Sequence, residues 1–185
     1  MTTGYAGSMA LVIDASVLQS AGETEHPVSS ACREFLERVQ RARLAVISTP
    51  ELKEERNRHR SRYSSRWFSK MAATKRMVYV ADPTDPTLRR HLSECAEQRS
   101  ENPEQEANLA GALTKDACLV EASNACDKAP ISSLDDRMRD HPRACAPWVP
   151  EVRHVVWVNP TNADEMPLDW LDSGAPRAPE RMLAL

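Results

Sequence analysis

The segment ALVID, Ala10–Asp14, is a run of four apolar residues that ends in a carboxylate. Such a run is typical of a strand that is buried on both faces of a parallel sheet. Similar short apolar runs follow at Leu44–Ile47, Met77–Ala81, Pro130–Ser133 and Val152–Val158. Because helical patterns separate these runs, the sequence predicts an α/β fold with three α/β/α layers and a mostly parallel central sheet.

The predicted helices are recognised by the spacing of their apolar residues and by capping residues at their starts. Thr49 is a suitable N-cap, and Pro50 suits the first helical position. The triplet Thr114-Lys115-Asp116 interrupts the apolar pattern, which predicts that Asp116 lies at a helix start. The helices are expected at Ser29–Arg43, Glu51–Arg60, Arg66–Arg76, Leu88–Gln98, Glu104–Leu113 and Ala117–Cys126.

The length of 185 residues suits one domain with an appendage, which we place at residues 9–158 and 159–185. The segment Trp170–Gly174 of this C-terminal extension is expected to dock on the domain, and the final residues are expected to be loose. No apolar stretch reaches the length of a membrane span, and the N-terminus lacks the pattern of a secretory signal. The five Cys include no CxxC pair, which argues against a disulfide scaffold or a structural zinc site and favours a reducing cytoplasm.

The net charge of −3 conceals an uneven distribution of charge. Between Glu51 and Arg76 there are nine basic residues and three acidic ones, so this block carries +6. A basic block in an otherwise acidic chain is a candidate binding surface for nucleic acid. Its cations would contact phosphates, whereas Trp67 and Phe68 are interpreted as core anchors of an amphipathic helix.

Acidic residues stand where the fold places a ligand site, beyond the carboxyl ends of the strands. Asp14 and Asp135 follow predicted strands, Glu55 lies in the helix after the second strand, and Asp116 follows the break in pattern. Carboxylates that converge in one crevice repel each other unless a divalent cation neutralises them, and all-oxygen ligands favour Mg²⁺ or Mn²⁺. The alternative for any single one of these acids is a helix cap.

Three segments together resemble a PIN domain, the fold of metal-dependent nucleases that include VapC-type toxins and RNA-processing enzymes. They are LVIDASVL at Leu11–Leu18, STPELKEERNRH at Ser48–His59 and KDACLVEASNACDKAPISSLDD at Lys115–Asp136. The resemblance runs over most of the chain, from about Ala10 to Val158. It implies a strand ending in Asp, a helical Glu, a D-x-x-L-V/L-x-A helix, and a strand that leads to S/T-x-D.

Carried over position by position, the resemblance implies that Asp14, Glu55, Asp116 and Asp135 are catalytic, with Asp14, Asp116 and Asp135 as ligands of Mg²⁺ or Mn²⁺. Glu54 is the alternative to Glu55. The possible supporting residues are Ser133, through its hydroxyl, and Asp136, Glu54 and Asn124. Arg58, Arg62 and Arg66 are expected to bind nucleic acid.

The activity implied is phosphodiester hydrolysis, most simply by an endoribonuclease that leaves a 5′-phosphate and a 3′-hydroxyl. The alternatives are a DNA-acting defence nuclease that cuts single-stranded DNA and a non-catalytic PIN-like module that binds nucleic acid or protein. A haloacid dehalogenase-type phosphatase is disfavoured because Ser16 stands where that class has a second Asp. Further expectations are a partner such as an antitoxin or another regulatory protein, a possible homodimer and no membrane association.

Overall fold

A computed structural model describes residues 9–185, so the segment Met1–Ser8, which was considered for a secretory signal, lies outside the described residues. Five parallel strands form one sheet in the order β3-β2-β1-β4-β5. The strand order reverses between β1 and β4, and the crevice beyond the carboxyl ends of the strands at such a point is where open α/β sheets bind ligands. The strands are β1 Ala10–Ile13, β2 Ala45–Ser48, β3 Met77–Tyr79, β4 Ile131–Ser132 and β5 Trp157–Val158.

Helices within the described residues cover both faces of this sheet. Their starts carry the capping chemistry that exposed backbone N–H groups require: Thr49 accepts a hydrogen bond from the N–H of Leu52 at 3.2 Å, and Ser61 forms a capping box with Ser64. The helices are α1 Ala15–Ser20, α2 Pro27–Arg41, α3 Pro50–His59, α4 Arg62–Ala73, α5 Pro86–Arg99, α6 Pro103–Asn124, α7 Asp136–Cys145 and α8 Pro167–Asp172. Short 3₁₀ turns lie at Pro150–Val152, Ala163–Glu165 and Pro179–Arg181.

Two hydrophobic layers follow from the alternation of side chains along the strands. Val12 of β1 faces the layer formed mainly by α5, α6 and α7. Its neighbours Leu11 and Ile13 face the opposite layer, formed by α1, α2, α4 and α8. The predicted three-layer α/β/α fold with a parallel sheet is therefore confirmed.

The helix around Asp116 differs from the prediction. Residues Pro103–Asn124 form one continuous helix, so the expected break at Thr114–Asp116 is wrong. Thr114 and Lys115 are exposed, whereas Leu113 and Ala117 are buried. Polar residues on the solvent-facing side of an amphipathic helix do not interrupt it, so Thr114 and Lys115 do not mark a helix end. The helix expected at Arg66–Arg76 also begins earlier, at Arg62.

The C-terminal extension packs against the domain. Trp170 is buried in α8 and donates its indole N–H to the carbonyl of Pro176 at 2.9 Å. Met182 forms an antiparallel bridge with Val156, and Leu183 donates its N–H to the carbonyl of Val155 at 2.9 Å. The expectation that the final residues are loose is therefore wrong for this segment, because it adds backbone hydrogen bonds beside β5.

Cys95 of α5 and Cys145 of α7 are joined by a disulfide, with their Cα atoms 6.0 Å apart. Both residues are fully buried in the layer formed by α5, α6 and α7. The cysteine spacing gave no sign of this bond, because the partners are far apart in the sequence. No helix among residues 9–185 is long and apolar enough to cross a membrane.

Candidate active site

Asp14 lies directly after β1, at the point where the strand order reverses. Its side chain is 3% exposed and does not cap α1, although its backbone stands at the N-cap position. Instead, its Oδ2 accepts hydrogen bonds from the hydroxyls of Ser133, at 2.8 Å, and Ser16. Its Oδ1 accepts no hydrogen bond from residues 9–185. The structure therefore excludes a capping role for this carboxylate and leaves one oxygen for another ligand.

The two serines connect the carboxyl ends of β1 and β4. Ser16 accepts a hydrogen bond from the N–H of Leu134 at 3.1 Å, and Ser133 accepts one from the N–H of Asp135 at 3.1 Å. The two hydroxyl oxygens are 3.4 Å apart. Each hydroxyl is thereby held in place and directed at Asp14. Ser16 was not predicted as a site residue, although the Asp-x-Ser spacing at a helix start was a usable signal.

Asp116 lies in the middle of α6 and is 6% exposed. Burial raises the pKa of its carboxyl to about 6, and the negative charge of Asp135 adds to this effect, while His141 and Lys115 oppose it. The Nδ1 atom of His141, on α7, is 3.3 Å from its Oδ2. His141 was not predicted as part of the site, because no local pattern relates α7 to α6.

Asp135 is exposed and caps α7. Its Oδ1 accepts hydrogen bonds from the N–H groups of Arg137 and Met138, at 3.0 and 3.1 Å. Asp135 therefore does serve as a helix cap, whereas Asp14 and Asp116 do not. Because its charge contributes to the raised pKa of Asp116, Asp135 also lies close enough to act on the cleft. We call the region between Asp14, Asp116 and Asp135 the acidic cleft.

Glu55 and Glu54 point to different sides of α3. Glu55 is half-buried, and its charge, like that of Asp14, adds to the effect of burial that raises the pKa of the Cys118 thiol on α6 to about 12. Glu54 is exposed, pairs with Arg58 and lines a cavity beside β3. Adjacent helical residues point about 100° apart, which explains the difference. Glu55 therefore lies on the side of α3 nearer Cys118 of α6, whereas Glu54 lies on the side nearer β3.

Two residues that were expected to support the site have hydrogen-bond partners outside the acidic cleft. Asn124 is about two helical turns beyond Asp116, or about 12 Å along α6, and its side-chain amide donates to the carbonyl of Glu151. Asp136 is exposed and accepts a hydrogen bond from the side chain of Asn159, at 3.3 Å. The expectation for Asn124 is therefore corrected, whereas Asp136, next to Asp135, stays a prediction. Proximity of Asn124 to Asp116 in the sequence does not bring the two side chains together, because they lie eight residues apart on α6.

The basic block is partly neutralised by its own neighbours. Arg58 pairs with Glu54, and Arg66 pairs with Glu23, whereas Arg62 is exposed without an ion pair among residues 9–185. Trp67 is buried and donates its indole N–H to a backbone carbonyl of α2, so its interpretation as a core anchor is confirmed. Of the three predicted phosphate-binding arginines, Arg62 alone carries an uncompensated charge.

A second buried acid, Glu121, lies on α6 outside the predicted set. It is fully enclosed and accepts two hydrogen bonds from the guanidinium of Arg89, at 2.7 and 2.9 Å. It also accepts one from the N–H of Asp85, at 3.0 Å. This carboxylate fastens the start of α5 to α6, and its charge is satisfied within the protein.

The chemistry of the donors in the acidic cleft suits a hard divalent cation. Asp14, Glu55, Asp116 and Asp135 offer carboxylate oxygens only, which is the ligand type of Mg²⁺ and Mn²⁺. However, among residues 9–185 no three carboxylate, imidazole or thiol groups converge closely enough to surround one ion. Binding would therefore require small side-chain rotations, or ligands supplied by water and substrate, which is common for Mg²⁺.

Comparisons of this chain with models of protein families, with curated proteins and with solved structures find no match.

Proposed function

We propose that this protein is a Mg²⁺- or Mn²⁺-dependent PIN-like nuclease, most simply an endoribonuclease. One observation carries the proposal: Asp14 and Asp116 are buried at the carboxyl side of the sheet without an ion pair to any Lys or Arg of residues 9–185. Buried carboxylates are costly unless a cation or hydrogen bonds compensate them. A divalent cation that these oxygens share would supply the missing charge.

The proposal gives the three acids of the acidic cleft one role and Glu55 another. Asp14, Asp116 and Asp135 would hold the metal ion, and Glu55 would face the substrate side. A bound divalent ion would lower the pKa of a water molecule that attacks the phosphodiester. Ser16 and Ser133 fix Asp14 through Oδ2 and leave its Oδ1 for the ion. This preorganisation limits the rearrangement of Asp14 itself when the ion binds.

A non-catalytic binding module is the second candidate. The observation that favours it is that no three potential ligands among residues 9–185 are arranged around one point. In such a protein Asp116 would stay partly protonated near pH 6, as its raised pKa allows. A nuclease that acts on single-stranded DNA is a further variant of the first candidate, because the same carboxylates would serve either substrate.

A cleavage assay tests the proposal. Wild type would be incubated with structured RNA, single-stranded RNA and single-stranded DNA in Mg²⁺, Mn²⁺ or EDTA. We expect metal-dependent cleavage of RNA, and a loss of at least about a hundredfold in Asp14→Asn and Asp116→Asn. The exposed Asp164→Asn is the matched control and should keep full activity. Full activity of Asp14→Asn would contradict the assignment, and RNA binding without cleavage would favour the non-catalytic module.

A further inference from the structure

Tyr79 is an exposed aromatic residue at the edge of the sheet. It is the last residue of β3, which is the outermost strand on that side, and it is 65% exposed. The aromatic residues in the basic block differ from it: Trp67 is buried, Phe68 packs edge-on against Trp67, and Tyr63 is half-buried with its hydroxyl bound to Glu37. Tyr79 is thus the ring in this region that can stack on a ligand.

Two cavities adjoin Tyr79. The larger, about 500 Å³, lies between the ends of β2 and β3 and the exposed side of α3, where Lys53 and Asn57 line it. The smaller, about 210 Å³, is lined by Arg56 and Phe68. The larger volume lies within the range of pockets that hold small organic ligands. Tyr79 therefore lies between two cavities. The larger is mostly apolar and has the side-chain amide of Asn57 in its wall, and the smaller has the guanidinium of Arg56.

The strand register places Tyr79 at the level of the acidic cleft. Leu11 of β1 is paired with Val46 of β2, and Ser48 is paired with Tyr79. Continuing this register sets Asp14 beside Thr49, one residue beyond the level of Tyr79. Because β3 is two strands away from β1, their backbones are about 10 Å apart across the sheet. Tyr79 alternates with Val78 and Val80 and so lies on the face of Met77, whereas Asp14 follows the alternation of Val12 on the other face.

The charges around this position suit a polyanion. Lys53 is exposed and forms no ion pair with residues 9–185. Arg56 lies over the ring of Phe68, with its guanidinium carbon 4.2 Å from the ring centroid. The acid in the larger cavity, Glu54, is neutralised by Arg58. The surroundings of Tyr79 therefore carry a positive charge beside an apolar surface, which is the combination that binds single-stranded nucleic acid.

We infer that Tyr79 and the adjoining cavity of about 500 Å³ form a base-stacking subsite for single-stranded RNA on the Glu54 side of α3. This inference rests on the proposed nuclease function and names its substrate class as unpaired RNA. An unpaired base stacks on the Tyr79 ring, Asn57 hydrogen-bonds an edge of the base, and Lys53 contacts a flanking phosphate. Duplex RNA does not fit, because its bases are not available for stacking on a side chain.

Binding of fluorescein-labelled oligouridine, measured by fluorescence anisotropy in EDTA, tests the subsite without interference from cleavage. We expect Tyr79→Ala to bind about tenfold more weakly than wild type, and Tyr79→Phe to bind within about twofold, because the ring is kept. Trp148→Ala is the matched control, since Trp148 is also an exposed aromatic residue, and it should bind as wild type. An oligonucleotide with abasic sites should bind wild type and Tyr79→Ala equally.

The outcomes separate this inference from the proposed function. If Tyr79→Ala binds oligouridine as well as wild type does, or if wild type does not bind it, the subsite is wrong, whether or not RNA is cut in Mg²⁺. If binding depends on Tyr79 but no metal supports cleavage, the subsite stands and the nuclease proposal fails. An equal loss of affinity in Tyr79→Phe and Tyr79→Ala would also overturn the stacking role.

Discussion

Asp116 and Glu121 lie little more than one turn apart on α6, and both are buried, yet their surroundings differ. Glu121 is enclosed by a bidentate guanidinium and a backbone N–H. Asp116 faces the acidic cleft, and its one hydrogen-bonding side-chain partner among residues 9–185 is the imidazole of His141, while Asp135 repels its charge. One helix therefore carries one carboxylate that the fold compensates and another that it does not.

This difference separates two uses of buried charge. A buried carboxylate that is paired with a cationic side chain fixes the packing of two helices. Removing the cationic partner leaves the carboxylate as an uncompensated buried charge. A buried carboxylate without such a partner reduces the stability of the folded protein, which is tolerated where a ligand supplies the opposite charge. The comparison predicts that changes at these two positions have opposite effects on the free energy of unfolding.

The largest change in stability is expected from Arg89→Met. The substitution keeps most of the side-chain volume but leaves the fully enclosed Glu121 without its guanidinium. Breaking a buried pair in this way costs about 3–5 kcal/mol. Urea denaturation would measure the loss, with the exposed Arg90→Met as control. A loss below about 1 kcal/mol would show that Glu121 is no more dependent on its partner than Asp116 is.

The opposite sign is expected for Asp116→Asn in the absence of metal. The amide removes a charge whose burial is disfavoured, and the raised pKa corresponds to a gain of about 1–3 kcal/mol at neutral pH. Urea denaturation in EDTA would measure it beside the exposed control Asp164→Asn, which should stay within about 0.5 kcal/mol of wild type. A clear loss of stability would mean that Asp116, like Glu121, is compensated inside the protein.

The pH dependence of that difference provides a sharper test. The folded protein holds the proton of Asp116 more tightly than the unfolded chain does, so ionisation destabilises the fold. The advantage of Asp116→Asn over wild type should therefore be small near pH 4, grow up to about pH 6, and stay constant above it. A difference that is constant between pH 4 and pH 7 would show that the pKa of Asp116 is not raised.

The smallest effect is expected for Glu54→Gln. Glu54 and Arg58 form an exposed ion pair on α3, and such pairs contribute about 0.5 kcal/mol or less. Its cleavage activity should also stay within about twofold of wild type, whereas Glu55→Gln should reduce turnover strongly. Inactivity of Glu54→Gln with normal activity of Glu55→Gln would show that the wrong side of α3 was assigned to the substrate.

Local sequence patterns were sufficient to predict the strand that ends at Asp14 and the helix start at Thr49-Pro50. Both depend on neighbouring residues: an apolar run with an acid at its end, and a capping side chain followed by proline. The role of Ser133 beside Asp14 could also be predicted from the sequence, because Ser133 lies two residues before Asp135 at the same strand end. These features need no knowledge of distant contacts.

The contacts that join separate elements were not predictable. The pairing of Glu121 with Arg89, of Asp116 with His141 and of Cys95 with Cys145 all depend on how α5 and α7 pack against α6. No spacing in the sequence encodes such neighbours. The same limit explains Asn124, which is near Asp116 in the sequence but at a distance from the acidic cleft.

Direct measurement of Mn²⁺ binding tests the central claim. Glu121 is paired with Arg89, whereas Asp14 and Asp116 of the acidic cleft pair with no Lys or Arg of residues 9–185 and would take a metal ion instead. Titration of the protein with Mn²⁺, followed by the electron paramagnetic resonance signal of the free ion, should show saturable binding to wild type. Asp14→Asn and Asp116→Asn should lose most of this binding, and Glu121→Gln, if folded by circular dichroism, should keep it. Equal Mn²⁺ binding by wild type, Asp14→Asn and Asp116→Asn would contradict the account.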